Sequence, residues 1–283
     1  MSTQAPQRIA PLGLIAGQGV FPFLVARGAR EQGRAVVCAA LRGNADPALA
    51  AEVDAYREVG TLRLGQWIRV LQAAGVREAI MVGRVGKSQM YARTRWLTYV
   101  PDWRTVRLYF TRLRHDKRDQ AVLHAVADEL AKEGITLIDS TTYSKHHMAT
   151  PGVMTRRQPT PAQLRDAEFA FPLCKMISTA DIGQAMAVVD KDVIAVEAVE
   201  GTDRMIDRAG QWCKGRGWTL VKVANAHRDL RVDVPSVGTA TIEKLRAAGC
   251  GCLVLEVGQT MMLEKEKVVE LADKLGVVIL GMQ

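Results

Sequence analysis

The side chains best suited to chemistry follow a predicted strand in the second half of the chain. The apolar run 193–199, which contains Glu197, leads into Glu200, Gly201, Thr202 and Asp203. This pattern predicts a strand that ends in a turn carrying carboxylates and a hydroxyl. Carboxylates bind hard cations and hydroxyls contact phosphate oxygens, so the turn is a candidate for phosphate chemistry.

A second acidic group lies further along the chain, where Asp229, Arg231 and Asp233 alternate with apolar residues. Alternate residues of an extended backbone share one face, which brings the three side chains together. Two carboxylates beside one guanidinium suit a hard cation and a phosphate oxygen. The same alternation also fits the solvated edge of a strand, in which Arg231 only neutralises its neighbours. The acidic turn in the same half of the chain, with Lys222 on the strand between the two groups, favours a site.

The opening segment GLIAGQGVFP contains two glycines, Gly17 and Gly19, directly after an apolar run. It predicts a strand, a glycine turn and a helix, followed by a strand at 36–41, which is a Rossmann-like beginning. Pro22 stands where the third glycine of a dinucleotide-binding fingerprint falls, which weakens an inference of cofactor binding. The two glycines either approach a ligand or only permit a tight turn.

A strongly basic segment lies between Arg84 and Arg118. It holds ten lysines and arginines against two aspartates, which equals the net charge of +8 of the whole chain. At its start, a glycine-and-base turn that ends at Lys87 follows a predicted strand, a place where parallel sheets commonly bind phosphate. Six aromatic residues are interleaved with the arginines, which fits nucleic-acid stacking or a surface for an anionic amphiphile or membrane. The lack of a recognised nucleic-acid fold favours the second interpretation.

Two α/β domains are predicted from the length of 283 residues and from the order of the patterns. Residues 1–144 form a Rossmann-like domain, 145–164 a proline-containing linker, and 165–283 a second α/β domain that carries the acidic residues. The other predicted elements are helices at 66–75, 116–133, 239–248 and 265–275 and strands at 79–82, 135–138, 193–199, 220–223, 252–257 and 277–280.

The five cysteines form no C-x-x-C pair and lie mostly among apolar neighbours, which predicts reduced, structural thiols. The sequence has no uninterrupted apolar run of about 18 residues and no secretory signal, so we expect a soluble cytoplasmic protein.

Several segments, in order along the chain, resemble one family. They are GLIAGQGVFP, HDKRDQAVLHAVADEL, VIAVEAVEGTDRMIDRAG, DLRVDVPSVGTATIEKLRAAG and VVELADKLGVVILG. Their combination is similar to the UDP-2,3-diacylglucosamine pyrophosphatases of the LpxI type. The resemblance implies two α/β domains that hold an acylated sugar nucleotide between them. It implies magnesium-dependent hydrolysis to UMP and 2,3-diacylglucosamine 1-phosphate, a step of lipid A biosynthesis, with attack at the phosphorus on the sugar side. It also implies peripheral contact with the cytoplasmic face of the inner membrane.

The residue patterns and the resemblance together lead to a set of expected roles. The expected catalytic residues are Asp203, Asp229, Arg231 and Asp233. The expected Mg²⁺ ligands are Glu200, Asp229 and Asp233. The expected substrate contacts are Gly17, Gly19, Lys87, Thr202, Lys222 and Thr260. No nucleic-acid partner is expected, and a homodimer is left open. The alternatives are a Rossmann-like nucleotide-binding oxidoreductase or regulator and a non-enzymatic module that binds RNA or a membrane through the basic segment.

Overall fold

The chain forms two compact units: the first spans residues 1–144 and also takes in Arg231, and the second spans the rest of the chain from Lys145 onward. The computed structural model describes residues 10–85, 100–114, 119–213, 215, 217–225, 231 and 234–283. Each unit has its own sheet and its own apolar core.

The sheet of the first unit has five parallel strands in the order β3-β2-β1-β4-β5. This order matches the first five strands of the Rossmann fold, so the predicted Rossmann-like α/β architecture is confirmed. The strands are β1 (Leu12–Ala16), β2 (Val36–Leu41), β3 (Ala55–Val59), β4 (Glu78–Val82) and β5 (Thr136–Leu137).

Helices cover both faces of this sheet, as a parallel sheet requires. Consecutive residues of β1 therefore enter different cores. Leu14 packs with helix α1, and Ile15 packs with helix α2 on the opposite face. The helices of this unit are α1 (Phe21–Glu31), α2 (Leu64–Ala73), α3 (Trp103–Leu108), which continues as a π-helical turn (Tyr109–Leu113), and α4 (Asp119–Lys132), with a 3-10 helix at Pro47–Glu52.

The sheet of the second unit is mixed and has six strands in the order β6-β13-β11-β9-β7-β8. The central strands β13, β11 and β9 are parallel, whereas β7 runs antiparallel to both of its neighbours. These strands are β6 (Gly152–Val153), β7 (Ala185–Val189), β8 (Asp192–Val196), β9 (Trp218–Lys222), β11 (Cys250–Glu256) and β13 (Val278–Met282). A separate pair of short parallel strands consists of β10 (Ser236–Val237) and β12 (Met261–Met262).

Four helices pack on this mixed sheet. Helix α5 covers one face, while α6, α7 and α8 contribute to the core on the other. Their bounds are α5 (Pro161–Thr179), α6 (Thr202–Trp212), α7 (Thr239–Ala247) and α8 (Lys265–Leu275). The strand and helix predictions for this half of the chain agree with these elements to within a few residues, and the prediction of a second α/β domain is confirmed.

The segment 145–164, predicted as a linker, carries elements of the second unit. Gly152 and Val153 form the edge strand β6, which pairs with β13. Thr160 and Gln163 form a capping box, in which each side chain accepts a hydrogen bond from the backbone N–H of the other. This cap starts α5 at Pro161, because the reciprocal bonds satisfy N–H groups that have no partner within the helix.

All five cysteines are buried free thiols, as predicted. Burial raises the pKa of the Cys38, Cys174 and Cys250 thiols to about 12. They are therefore protonated and unreactive near neutral pH. Within the described part of the chain, no helix combines the length and the apolar character needed to cross a membrane.

Candidate functional site

Polar side chains gather at one end of the mixed sheet, where three strands that run in the same direction end. Strand β9 ends at Lys222, β11 ends at Glu256, and Glu197 directly follows β8. Ala185, the first residue of β7, pairs with Lys222 on one side and accepts a backbone hydrogen bond from Glu197 on the other. Glu197 and Lys222 therefore lie at the same level of the sheet, on either side of strand β7.

Thr202 joins these two charged side chains. Gly201 has a φ of 81°, which is a glycine conformation, and it turns the chain into α6 so that Thr202 is the first helical residue. The Thr202 hydroxyl donates to Glu197 Oε1 at 2.9 Å, and Lys222 Nζ lies 3.5 Å from Thr202 Oγ1. Lys222 Nζ also donates to the backbone oxygen of Ser236 at 3.4 Å.

The burial of these charged side chains lowers the stability of the folded protein, which points to a functional reason for keeping them. Glu197 and Lys222 are each 7% exposed. Buried charges need charged or hydrogen-bonding partners, and an apolar replacement of a buried ion pair is often as stable. A buried ammonium beside the N-terminus of an eleven-residue helix is suited to an anionic group, since both contribute positive potential.

Unpaired polar atoms concentrate at the same end of the sheet. Four buried side-chain atoms of the described residues have no hydrogen-bond partner: Gln184 Oε1, Glu197 Oε2, Thr219 Oγ1 and Thr260 Oγ1. Gln184 immediately precedes β7, Glu197 follows β8, and Thr260 lies in the turn after β11. Three of the four atoms are therefore at the end of the sheet that carries Lys222. Each such atom costs about 1–3 kcal/mol, and proteins retain such groups mainly at functional sites.

Glu256 holds the chain that leaves β9. One carboxylate oxygen accepts from Lys175 Nζ at 2.7 Å, and the other accepts from the backbone N–H of Ala224 at 2.8 Å. Since Ala224 lies two residues beyond Lys222, Glu256 fixes the first residues of the segment that leads to 229–233.

Comparison with known proteins identifies the family. The N-terminal domain of LpxI matches residues 11–147, and the C-terminal domain of LpxI matches residues 150–280. The chain belongs to the LpxI family. It is 32% identical to the UDP-2,3-diacylglucosamine pyrophosphatase LpxI of Caulobacter vibrioides over 280 residues, which cover 95% of this chain and 96% of that protein. The family resemblance that the sequence segments indicated is therefore confirmed over nearly the whole chain.

In this LpxI-family chain, the segment predicted as an acidic turn becomes helical at Thr202. Asp203 lies in the first turn of α6 with an exposed side chain. Glu200 precedes the helix and forms an ion pair with Arg208 at 2.6 Å. Its own backbone N–H, followed by Arg208, holds the pKa of the Glu200 carboxyl below its usual range. Glu200 is thus ionised near neutral pH, with one oxygen engaged by a guanidinium.

The local backbone explains both glycines of the first loop. A Cβ on Gly17 would lie 2.7 Å from the backbone oxygen of Arg84. The backbones of Gln18 and Arg84 pair here, and Gly19 has a φ of 106°. The turn interpretation of these glycines is therefore sufficient to explain both of them.

Of the other predicted site residues, the structure describes two. Arg231 is partly buried. Thr260 is fully buried and belongs to the second unit. Lys87, Asp229 and Asp233 lie outside the residues that the structure describes.

The described residues do not by themselves form a metal centre. No cluster of three or more His, Cys, Asp or Glu side chains able to share a metal ion occurs among them.

The sequence interpretation named Glu197 at this strand end without assigning it a role, and it assigned no role to Glu256. A signal existed for Glu197, because it is a charged residue at the end of an apolar strand run, VIAVEAV. Its contact with Thr202 and the contact of Glu256 with Ala224 depend on folding and leave no local pattern.

Proposed function

We propose that this protein hydrolyses the pyrophosphate bond of UDP-2,3-diacylglucosamine to UMP and 2,3-diacylglucosamine 1-phosphate, a step of lipid A biosynthesis. The observation that carries the proposal is the full-length membership of the LpxI family, whose relative in Caulobacter vibrioides is named for this substrate. The dinucleotide-binding alternative is not favoured, because a close backbone contact accounts for Gly17 and a positive φ accounts for Gly19.

The buried ammonium of Lys222 supports hydrolysis of a charged anhydride. Pyrophosphate cleavage requires positive charge next to the phosphoryl oxygens and a positioned water. Lys222 supplies the charge beside the N-terminus of α6, and Arg231 adds a second cation. Asp229 and Asp233, with Asp203, act on the water or bind the metal ion, and Lys87 contacts the substrate.

We also propose that Mg²⁺ is the cofactor, with Asp229, Asp233 and Glu200 as ligands. Magnesium binds few protein carboxylates and keeps several waters, which fits a site of this composition. Bound Mg²⁺ would neutralise charge on the pyrophosphate.

Release of UMP from purified UDP-2,3-diacylglucosamine is the direct test. We expect turnover with Mg²⁺ and loss of turnover with a chelator, restored by excess Mg²⁺. Failure of the wild-type protein to release UMP with any divalent cation would remove the proposed reaction. Activity that is unaffected by the chelator would remove only the metal.

Two further measurements refine the chemistry. In ¹⁸O-labelled water, we expect the label in 2,3-diacylglucosamine 1-phosphate, as attack on the sugar-side phosphorus requires; label in UMP contradicts it. We expect Asp233→Ala to abolish turnover while the protein stays folded. Normal activity of that variant would exclude Asp233 from the site.

Membrane contact is proposed for the described end of the basic segment. Trp103 and Phe110 are 79% and 63% exposed, and the exposed Arg107 lies between them in sequence. Exposed aromatics beside arginine are typical of a surface that meets anionic headgroups. We expect a peripheral location on the cytoplasmic face of the inner membrane.

Vesicle sedimentation tests this surface. We expect binding to phosphatidylglycerol vesicles that weakens with salt and falls in Trp103→Ala and Phe110→Ala. Trp212→Ala is the matched control, since this tryptophan is 76% exposed on the second unit. Equal binding to neutral vesicles, or an equal loss in the control, contradicts the proposal. Sedimentation velocity of the same samples reports whether a homodimer forms.

A further inference from the structure

The directions of two hydrogen bonds at Thr202 are fixed by chemistry. A lysine ammonium only donates hydrogen bonds, and a carboxylate oxygen accepts them. Thr202 has one hydroxyl proton and lies between them, 3.5 Å from Lys222 Nζ and 2.9 Å from Glu197 Oε1. The hydroxyl therefore gives its proton to Glu197 and accepts from Lys222.

This order decides what Thr202 offers to a ligand. With its proton engaged, the Thr202 oxygen has only a lone pair left. An ionised phosphate oxygen is also an acceptor, so the two do not form a hydrogen bond. A water molecule or a sugar hydroxyl, which donates, is the suitable partner. The phosphate contact that the sequence suggested for Thr202 thus belongs to Lys222.

We propose that Glu197 is a positioning residue for the hydrolysis, which holds the Thr202 proton and so fixes both the acceptor at Thr202 and the orientation of the Lys222 ammonium. The inference rests on the proposed function and assigns a further residue to the same site. Glu197 acts through Thr202 and needs no contact with the substrate.

The surroundings of Glu197 support a functional rather than a structural role. Its second oxygen, Oε2, is buried and has no hydrogen-bond partner in the described part of the chain, which destabilises the folded state. The backbone around it is also held closely, since a Cβ on Gly183 would lie 2.0 Å from the Glu197 backbone oxygen. A residue with only a structural role at this position is better replaced by an apolar one.

A double-mutant cycle of Glu197→Leu and Thr202→Val tests the proposal, because leucine removes the acceptor of the Thr202 proton, whereas the amide oxygen of a glutamine would keep it. We expect each single variant to lower kcat by about 10- to 100-fold, with KM changed about twofold or less, because misplaced catalytic groups cost rate rather than binding. If Glu197 acts through Thr202, the double variant is no slower than the slower single variant.

The matched control is Asp166→Leu. Asp166 is a buried carboxylate of the same unit, and it accepts from the backbone N–H groups of Asp190 and Lys191 at the closed end of the β7–β8 hairpin. Glu197 lies at the open end. We expect this loss of a buried carboxylate to lower the melting temperature and leave kcat per folded molecule unchanged.

The outcomes separate the two proposals. A wild-type protein that does not cleave the substrate overturns the proposed function and the inference with it. An active wild type with an unimpaired Glu197→Leu variant, or with losses that multiply in the double variant, overturns the role of Glu197 alone. If Glu197→Leu does not fold, Thr202 decides: we expect Thr202→Ser to keep most of kcat and Thr202→Val to lose it, and equal rates in the two contradict the proposal.

Discussion

The two sheets end differently at the edge where parallel α/β folds commonly bind ligands. In the first unit, the loops after β1 and β4 close on each other through the paired backbones of Gln18 and Arg84. Near the ends of β2 and β3, the Asn44 amide donates to the Thr61 hydroxyl. In the second unit, Lys222 and Glu197 are both buried, and Glu197 Oε2 has no hydrogen-bond partner among the described residues. All four unpartnered buried side-chain atoms of the described residues belong to this second unit.

The comparison separates architecture from candidate chemistry among the described residues. The first unit has the strand order of a nucleotide-binding fold, yet a close backbone contact explains Gly17 and a positive φ explains Gly19. The second unit has a less familiar mixed sheet, yet it carries all four unsatisfied buried side-chain atoms. Unsatisfied polar groups therefore indicate a candidate site that the likeness of a fold alone does not.

Replacement of Lys222 should have the largest effect. We expect Lys222→Met to lower kcat about 100- to 1000-fold, as does the loss of one preorganised group that stabilises developing negative charge. Lys244→Met is the control, because Lys244 pairs with Asp207 at the surface of the same unit, at 2.8 Å. Steady-state rates per folded molecule check the prediction, and a Lys222→Met variant with wild-type kcat would move the site elsewhere.

A pair of glycine variants compares the two units directly. A Cβ on Gly28 would lie 1.8 Å from the backbone oxygen of Tyr143, and a Cβ on Gly183 would lie 2.0 Å from the backbone oxygen of Glu197. We expect either alanine variant to lose about 1–3 kcal/mol of unfolding free energy through overpacking. Only Gly183→Ala should also lower activity per folded molecule, since it displaces Glu197. Urea titration and kinetics measure both, and equal activity losses would contradict the separation of roles.

The buried thiols give a pH test of the same comparison. Burial raises the pKa of Cys38 in the first unit and of Cys174, Cys250 and Cys252 in the second. Because the folded pKa values are above the unfolded value of about 9, this contribution to stability is full below pH 9 and declines as pH rises toward about 12. Because the second unit contains three of these thiols and the first unit only one, the second unit loses more stability as the pH rises. We therefore expect its cysteines to be labelled before Cys38 between pH 9 and 10, and faster labelling of Cys38 would contradict this expectation.

Surface ion pairs should have the smallest effect in either unit. Glu52 pairs with Arg27 at 2.6 Å, and the hydrogen bond from Arg27 lowers the pKa of the Glu52 carboxyl. This contribution is present above the usual carboxyl pKa and is lost as the pH falls below it. We expect Glu52→Gln and Asp207→Asn each to change the unfolding free energy by less than about 1 kcal/mol, with no change in kcat. A larger loss in one unit would show that its exposed charges also matter.

Local patterns predicted most of the fold and only part of the site. The buried runs of β1 and β2 and the periodicity of α8 are properties of adjacent residues, so the sequence displays them. Thr202 and Lys222 were selected because they follow or end strands. Their connection through Glu197 was not predicted, because a side-chain contact across 20 residues depends on the register of β7. The turn expected at Asp203 is helical, since Gly201 starts α6 before it.

The clamp made by Glu256 has a consequence for the order in which the protein folds. Its partners Lys175 and Ala224 lie 81 and 32 residues away along the chain. Contacts between such distant residues form late, because loops must close before the bonds compensate for the lost chain entropy. The segment that leads to 229–233 therefore acquires its starting point only after β11 has joined the sheet and α5 has docked. A partly synthesised or truncated chain that ends before residue 250 can form local helices, but it has no means of assembling the site.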